Sequence, residues 1–126
     1  MIDTDILIFI EKKRKTEELL EKYDMYITFV TLYEYIRGLK RRGKKSEEIE
    51  EIKSSLSKIF GVLWPTNETL MLASEIWAEL ADAGMLIDDR DLLIGALCIE
   101  NKMPLWTFNI KHFERLTRFG LKILKV

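Results

Sequence analysis

One cysteine, one histidine and no long apolar run are found in this chain of 126 residues, and each scarcity closes a class of explanation. The lone Cys98 cannot build an internal disulfide framework and suits a reducing compartment, so its apolar setting marks it as core packing. His112 has no Ser or Cys nucleophile in a recognisable arrangement with it, which leaves covalent acyl transfer without support. Charges interrupt every apolar stretch before it reaches the length that spans a bilayer, and no basic, apolar and small-residue leader opens the chain. A soluble, cytoplasmic protein without membrane contact is expected. Lys and Arg number 20 against 21 Asp and Glu, a net charge of −1; no global excess attracts a polyanion, so any nucleic-acid contact must come from a local patch. Repeats, low-complexity tracts and dividing linkers are also absent from the sequence.

What is present is an apolar fraction of 48%, enough at this length for one core and one domain, 1–126. The pattern predicts a very short first strand at Met1-Ile2, a buried helix over 6–10, a helix over 16–23 and a second strand over 25–30. Thr31 with Glu34 three places on has the form of a capping box that opens a helix to about Leu39. Ser46 begins an amphipathic helix carrying Ile49, Ile52, Leu56, Ile59 and Phe60. A strand over 62–64, a helix capped by Thr66 or Asn67 and stopped near Gly84, and a loop over 85–89 follow. The run after Asp91 is apolar on all sides and reads as a helix packed from several directions. Strands over 104–107 and 121–124 flank a last helix over 109–116. Strands separated by helices, with no hairpin signal, imply right-handed crossovers and a three-layer α/β/α sandwich around a mainly parallel sheet.

On such a sheet Asp3 follows the first strand, Glu34 falls in the first turn of the helix after the second, and Asp91 in the first turn of the apolar helix. Each acid alone has an ordinary reading: an N-cap, a capping-box partner, a partner for the helix dipole. Together at one sheet edge they would repel one another unless a cation lay among them, and carboxylate oxygen is the preferred ligand of Mg²⁺ or Mn²⁺. Residues 37–45 hold six basic side chains in nine, either a solvated helix end or a patch for RNA phosphates. Trp64, Trp77 and Trp106 are read as core or interface residues rather than base-stacking platforms.

Four segments, Ile2-Asp3-Thr4-Asp5-Ile6, Thr31-Leu32-Tyr33-Glu34, Asp91-Leu92-Leu93-Ile94-Gly95-Ala96 and Thr107-Phe108-Asn109, resemble the motifs of PIN-domain ribonucleases in their usual order. Over essentially the whole chain the likeness is greatest to the VapC toxins of type II toxin–antitoxin pairs. The resemblance implies a Mg²⁺- or Mn²⁺-dependent endoribonuclease, usually a homodimer and held inactive by a VapB-like antitoxin. It carries the catalytic and metal-binding acids onto Asp3, Glu34 and Asp91, with Thr4, Asp5, Thr107 and Asn109 supporting them. The chain departs from the pattern at His112, where many relatives have a fourth acid, and Met1-Ile2 is shorter than the usual first strand, as if the true start lay upstream. RNA phosphate contacts are expected from Arg37, Lys40, Arg41, Arg42, Lys111 and Arg115, and a dimer face or antitoxin groove from the aliphatic early helices. Two other readings stay open. One is a PIN fold that has lost cleavage and serves as an RNA- or protein-binding scaffold; the other follows from Asp3-Thr4-Asp5, which also resembles the opening of haloacid-dehalogenase-type phosphatases.

Overall fold

The computed structural model describes residues 1–124; Lys125 and Val126, the end of the expected domain, lie outside the described residues. Its elements run α1 (Thr4–Lys12), α2 (Thr16–Lys22), β1 (Tyr26–Thr28), α3 (Phe29–Arg41), α4 (Ser46–Ile59), β2 (Gly61–Leu63), α5 (Asn67–Asp82), α6 (Asp89–Glu100) and α7 (Ile110–Phe113), then a 3₁₀ helix at Glu114–Phe119. β1 and β2 pair in parallel, Tyr26 opposite Gly61 and Thr28 opposite Leu63. The ladder continues as isolated contacts: Ile2 N–H donates to the Tyr26 carbonyl at 2.8 Å, Ile2 bridges Trp106, and Leu105 bridges Ile123, both in parallel. The central layer is therefore ordered 61–63, 26–28, 2, 105–106, 123. The chain leaves the segment at Ile2 toward one side and later crosses to the other, so its carboxyl end is a topological switch point, where ligands bind in open α/β sheets. Asp3 is the next residue.

Alternation along these extended segments divides the core in two. Met1, Val30 and Leu105 join Ala73, Ile76 and Leu80 of α5, Ile94, Ala96 and Cys98 of α6, and Phe113 and Leu116. Ile2 and Ile27 join Ile6, Leu7 and Ile10 of α1, Leu32 of α3 and Leu56 of α4. Helices thus cover both faces of the sheet, the three-layer arrangement expected. Cys98 is buried in the first of these clusters, and desolvation pushes its thiol up to about 12. Burial at Gly95 is tighter still: a Cβ there would collide with the Leu116 side chain, so glycine lets α6 lie close on the 3₁₀ helix.

Several boundaries move from their expected places, each for a local reason. The second strand ends at Thr28 rather than Val30, because Thr28 holds an extended backbone and its Oγ1 accepts from Thr31 N–H at 3.3 Å, capping α3. The expected capping box at Thr31 and Glu34 is therefore not formed; Thr31 lies inside the first turn and Glu34 in the second. α3 also continues past Leu39 to Arg41, and Asp88 caps α6 by accepting from Arg90 N–H at 2.8 Å, which turns the end of the expected loop into helix. The last helix breaks after Phe113 into 3₁₀ geometry. Trp106 packs against the second cluster, but Trp64 and Trp77 are 60% and 47% exposed, so the core reading fails for those two. Thr66 caps α5, and its hydroxyl donates to Glu100 at 2.9 Å, tying the start of α5 to the end of α6.

The cap assignment has a direct check. Thr28→Ala should lower stability by about 1–2 kcal/mol in urea denaturation, while Thr28→Ser keeps most of it; an unmoved midpoint for the alanine variant would mean that α3 is not capped there.

Candidate functional site

Asp3 is 7% exposed, a position that a carboxylate tolerates only if its oxygens are satisfied. Its Oδ1 accepts from Thr4 N–H at 2.8 Å, which starts α1, and its Oδ2 accepts from the Thr107 hydroxyl at 2.9 Å. Thr107 is itself buried at the end of the neighbouring extended segment, and its Oγ1 accepts from Asn109 N–H at 3.0 Å. Burial raises the Asp3 carboxyl from 3.8 to about 6; the two hydrogen bonds pull it down, and the nearby charges of Asp5 and Asp91 add to the rise. Each oxygen keeps lone pairs beyond the bond it already accepts.

Asp5 stands one position beyond Thr4 on α1. Its Oδ2 accepts from Phe108 N–H at 3.0 Å and from the Asn109 amide at 3.2 Å, while its Oδ1 is buried with no partner. An unpartnered buried carboxylate oxygen is costly by itself and is the kind of atom a cation satisfies. Glu34 reaches the same place from α3: the Thr4 hydroxyl donates to its Oε1 at 2.9 Å, and the Thr31 hydroxyl lies 3.2 Å from Thr4 Oγ1, which can accept from it. Asp91 enters from the first turn of α6, its carboxyl raised chiefly by burial and lowered by the neighbouring His112. His112 Nδ1 lies 3.3 Å from Asp91 Oδ2. Asp3, Thr4, Asp5, Glu34, Asp91 and Asn109 line one cleft of about 370 Å³.

All the sequence-derived acids and their supporting residues therefore meet at one edge, Thr107 just behind it through Asp3. The donor set is oxygen throughout, the chemistry that Mg²⁺ and Mn²⁺ favour, and with the unpartnered Asp5 oxygen it fits a divalent ion. As placed, no three Asp, Glu, His or Cys side chains among the described residues stand close enough to enclose one. Two of the acids face side chains of the chain itself. Glu34 Oε2 faces Arg90 Nη1 at 3.5 Å and Arg37 Nη2 at 3.6 Å, and Asp91 faces His112. Arg90 lines the cleft and is absent from the sequence-derived set, although its place beside Asp91 in the first turn of a helix was legible.

The basic residues separate into two groups. Lys111 and Arg115 line a hollow of about 240 Å³ that adjoins the acid cleft and shares Asp88, Asp91 and His112 with it. Arg115 Nη1 donates to the Leu86 carbonyl at 2.7 Å, which holds the guanidinium there. Lys40, Arg41 and Arg42 do not reach the cleft; Arg41 is seven residues beyond Glu34 on the same helix, about 10 Å along its axis, and Lys40 bonds Ser46 at 3.0 Å. Arg37 is the member of that run that touches the site. No helix is long and apolar enough to cross a membrane among the described residues.

The family model described as PIN domain matches residues 1–118. Ribonuclease VapC1 of Methanocaldococcus jannaschii is 39% identical over 98% of this chain and 85% of its own length, and Ribonuclease VapC1 of Haemophilus influenzae strain R2866 is 30% identical over 93% and 91%. Among solved structures, VapBC-1 from nontypeable Haemophilus influenzae superposes with a TM-score of 0.81 at 24% identity, covering 99% of this chain and 96% of that one. DNA-bound VapBC from Salmonella typhimurium gives 0.79 at 25% identity, covering 98% and 95%. The match along almost the whole chain sets aside the phosphatase likeness of Asp3-Thr4-Asp5. By that match and the 39% identity, this chain belongs to the PIN domain family.

Proposed function

We propose that this protein is a divalent-metal-dependent endoribonuclease acting as the toxin of a VapBC-type pair, with Asp3, Glu34 and Asp91 as its metal-holding acids. The observation that carries the reading is the convergence of these acids and Asp5 on one cleft at the switch point of the sheet, with Asp5 Oδ1 buried and unpartnered. The names of the relatives support the substrate class, and the VapBC structures support an antitoxin partner. A bound Mg²⁺ or Mn²⁺ would supply a water of lowered pKa and offset charge that develops on a scissile phosphate. The chain's own contribution is positional. Thr107 and Thr4 N–H orient Asp3, the Thr4 hydroxyl orients Glu34, and Asn109 with Phe108 N–H fixes Asp5. Lys111 and Arg115 are placed to take RNA phosphates beside the cleft, with Arg37 at its rim.

A scaffold without cleavage is the second reading, favoured by His112 at the usual fourth acidic position and by the pairing of Glu34 with Arg37 and Arg90 of the chain. Cleavage of a mixed pool of cellular RNA with Mg²⁺, Mn²⁺ or EDTA decides between them. Metal-dependent cutting that is lost in Asp91→Asn is expected; a folded protein that cuts under no condition would favour the scaffold.

Two quantitative outcomes follow from the site. Lys111→Ala with Arg115→Ala should weaken RNA binding about tenfold at low salt, a loss that narrows as salt rises, and Arg41→Ala with Arg42→Ala should weaken it less; the reverse order in a binding titration would move the RNA path to the end of α3. Asp3 sets a pH dependence of stability. Unfolded, this carboxyl releases its proton near its ordinary 3.8, and folded at about 6, so its contribution is intact below roughly pH 4 and lost as the pH rises through 6. In EDTA at about pH 7.5, Asp3→Asn should therefore be more stable than the native chain by about 2 kcal/mol, the difference closing near pH 4. Denaturation midpoints across that range test it, and a less stable Asp3→Asn protein at pH 7.5 contradicts it.

A further inference from the structure

We propose that Arg90 is an internal cation that holds Glu34 when no divalent ion is bound and is displaced from it when one binds. The inference rests on the reading of Glu34 as a metal-holding acid. Arg90 precedes Asp91 in the first turn of α6, the end of a helix where the dipole disfavours positive charge. It is kept there by acids on two sides. Its Nε lies 3.1 Å from Asp88 Oδ1 and its Nη2 3.3 Å from Asp88 Oδ2, a fork on one carboxylate, while Nη1 extends to Glu34 Oε2 at 3.5 Å.

The two halves of this arrangement differ in strength. The contacts to Asp88 are bidentate and within hydrogen-bond distance, whereas the single approach to Glu34 is at the outer limit and the Arg90 side chain is 49% exposed. The guanidinium is therefore anchored at Asp88 and only lightly held at Glu34. Glu34 Oε1 accepts from Thr4, whereas Oε2, which faces Arg90 and, at 3.6 Å, Arg37, accepts no hydrogen bond and is the more open oxygen for a metal. A guanidinium and a divalent ion cannot both take it at full strength. Once released, the Nη1 edge of Arg90 remains over the cleft, tethered by Asp88, as a donor for an RNA phosphate.

A competing cation and a positioning one predict opposite signs for the metal alone. Titration of Mn²⁺, followed by loss of the free-ion electron paramagnetic resonance signal, should show Arg90→Ala binding about 3- to 5-fold more tightly than the native protein, the size of a partly exposed ion pair. Asp88 keeps its place as the cap of α6, and a circular-dichroism melt checks that the variant is folded. In a Glu34→Gln background the same change should leave Mn²⁺ affinity unaltered, since the competition has lost its object. Weaker binding in Arg90→Ala would make Arg90 a support for the metal site, and equal binding would remove it from the site; either overturns the proposal. An equal gain in the Glu34→Gln background would overturn it too. If neither the native chain nor the variant binds Mn²⁺ at millimolar ion, the metal reading itself falls, and the competition with it.

Discussion

The burial of the Asp3 carboxylate is the constraint on which the site depends. Asp3 is reached directly from the central segment of the sheet, it starts α1 through Thr4 N–H, and it locks the neighbouring segment through Thr107. One side chain thus joins two extended segments and a helix at the switch point. The cost of desolvating it shows in a carboxyl raised to about 6, and that cost is what makes the place receptive to a cation. A fold optimised for stability alone would have placed an Asn or Ser there.

Around Asp3 the acids are held by a relay of short polar side chains. The hydroxyl of Thr4 serves Glu34, Thr31 supports Thr4, Asn109 serves Asp5 and is itself fixed by Thr107. Such groups locate carboxylates without neutralising them, unlike Lys or Arg in direct contact. Neutralisation is left to side chains at the rim, Arg37 and Arg90, both about half exposed. Their hold is screened by water, and exposed pairs of this kind contribute little to stability. The acids are therefore compensated enough to fold together, yet remain open to a more highly charged ligand.

The motifs that carry chemistry were legible in the sequence because they are local: an acid after an apolar start, an acid ahead of an apolar helix, a threonine before an asparagine. Helix and strand order followed from hydrophobic period, and the three layers from that order. Boundaries were less legible. Thr28 and Thr31 are both plausible caps three residues apart, and only the extended backbone at Thr28 selects between them. Trp64 and Trp77 show that apolar identity alone does not assign burial, since which face of α5 and which end of β2 are covered depends on neighbours far along the chain.

Sequence alone determined that Asp3, Glu34 and Asp91 would lie near element ends, since caps, periodicity and turn chemistry act over a few residues. Only tertiary structure decided that Arg90 of α6 would meet Glu34 of α3, that Lys111 and Arg115 would stand beside the acids while Arg41 and Arg42 would not, and that one oxygen of Asp5 would be buried without a partner. Those facts depend on how the chain crosses from one side of Ile2 to the other. Thr107 and Asp3, 104 residues apart, are brought within ångströms by that crossing, and no local pattern records the distance.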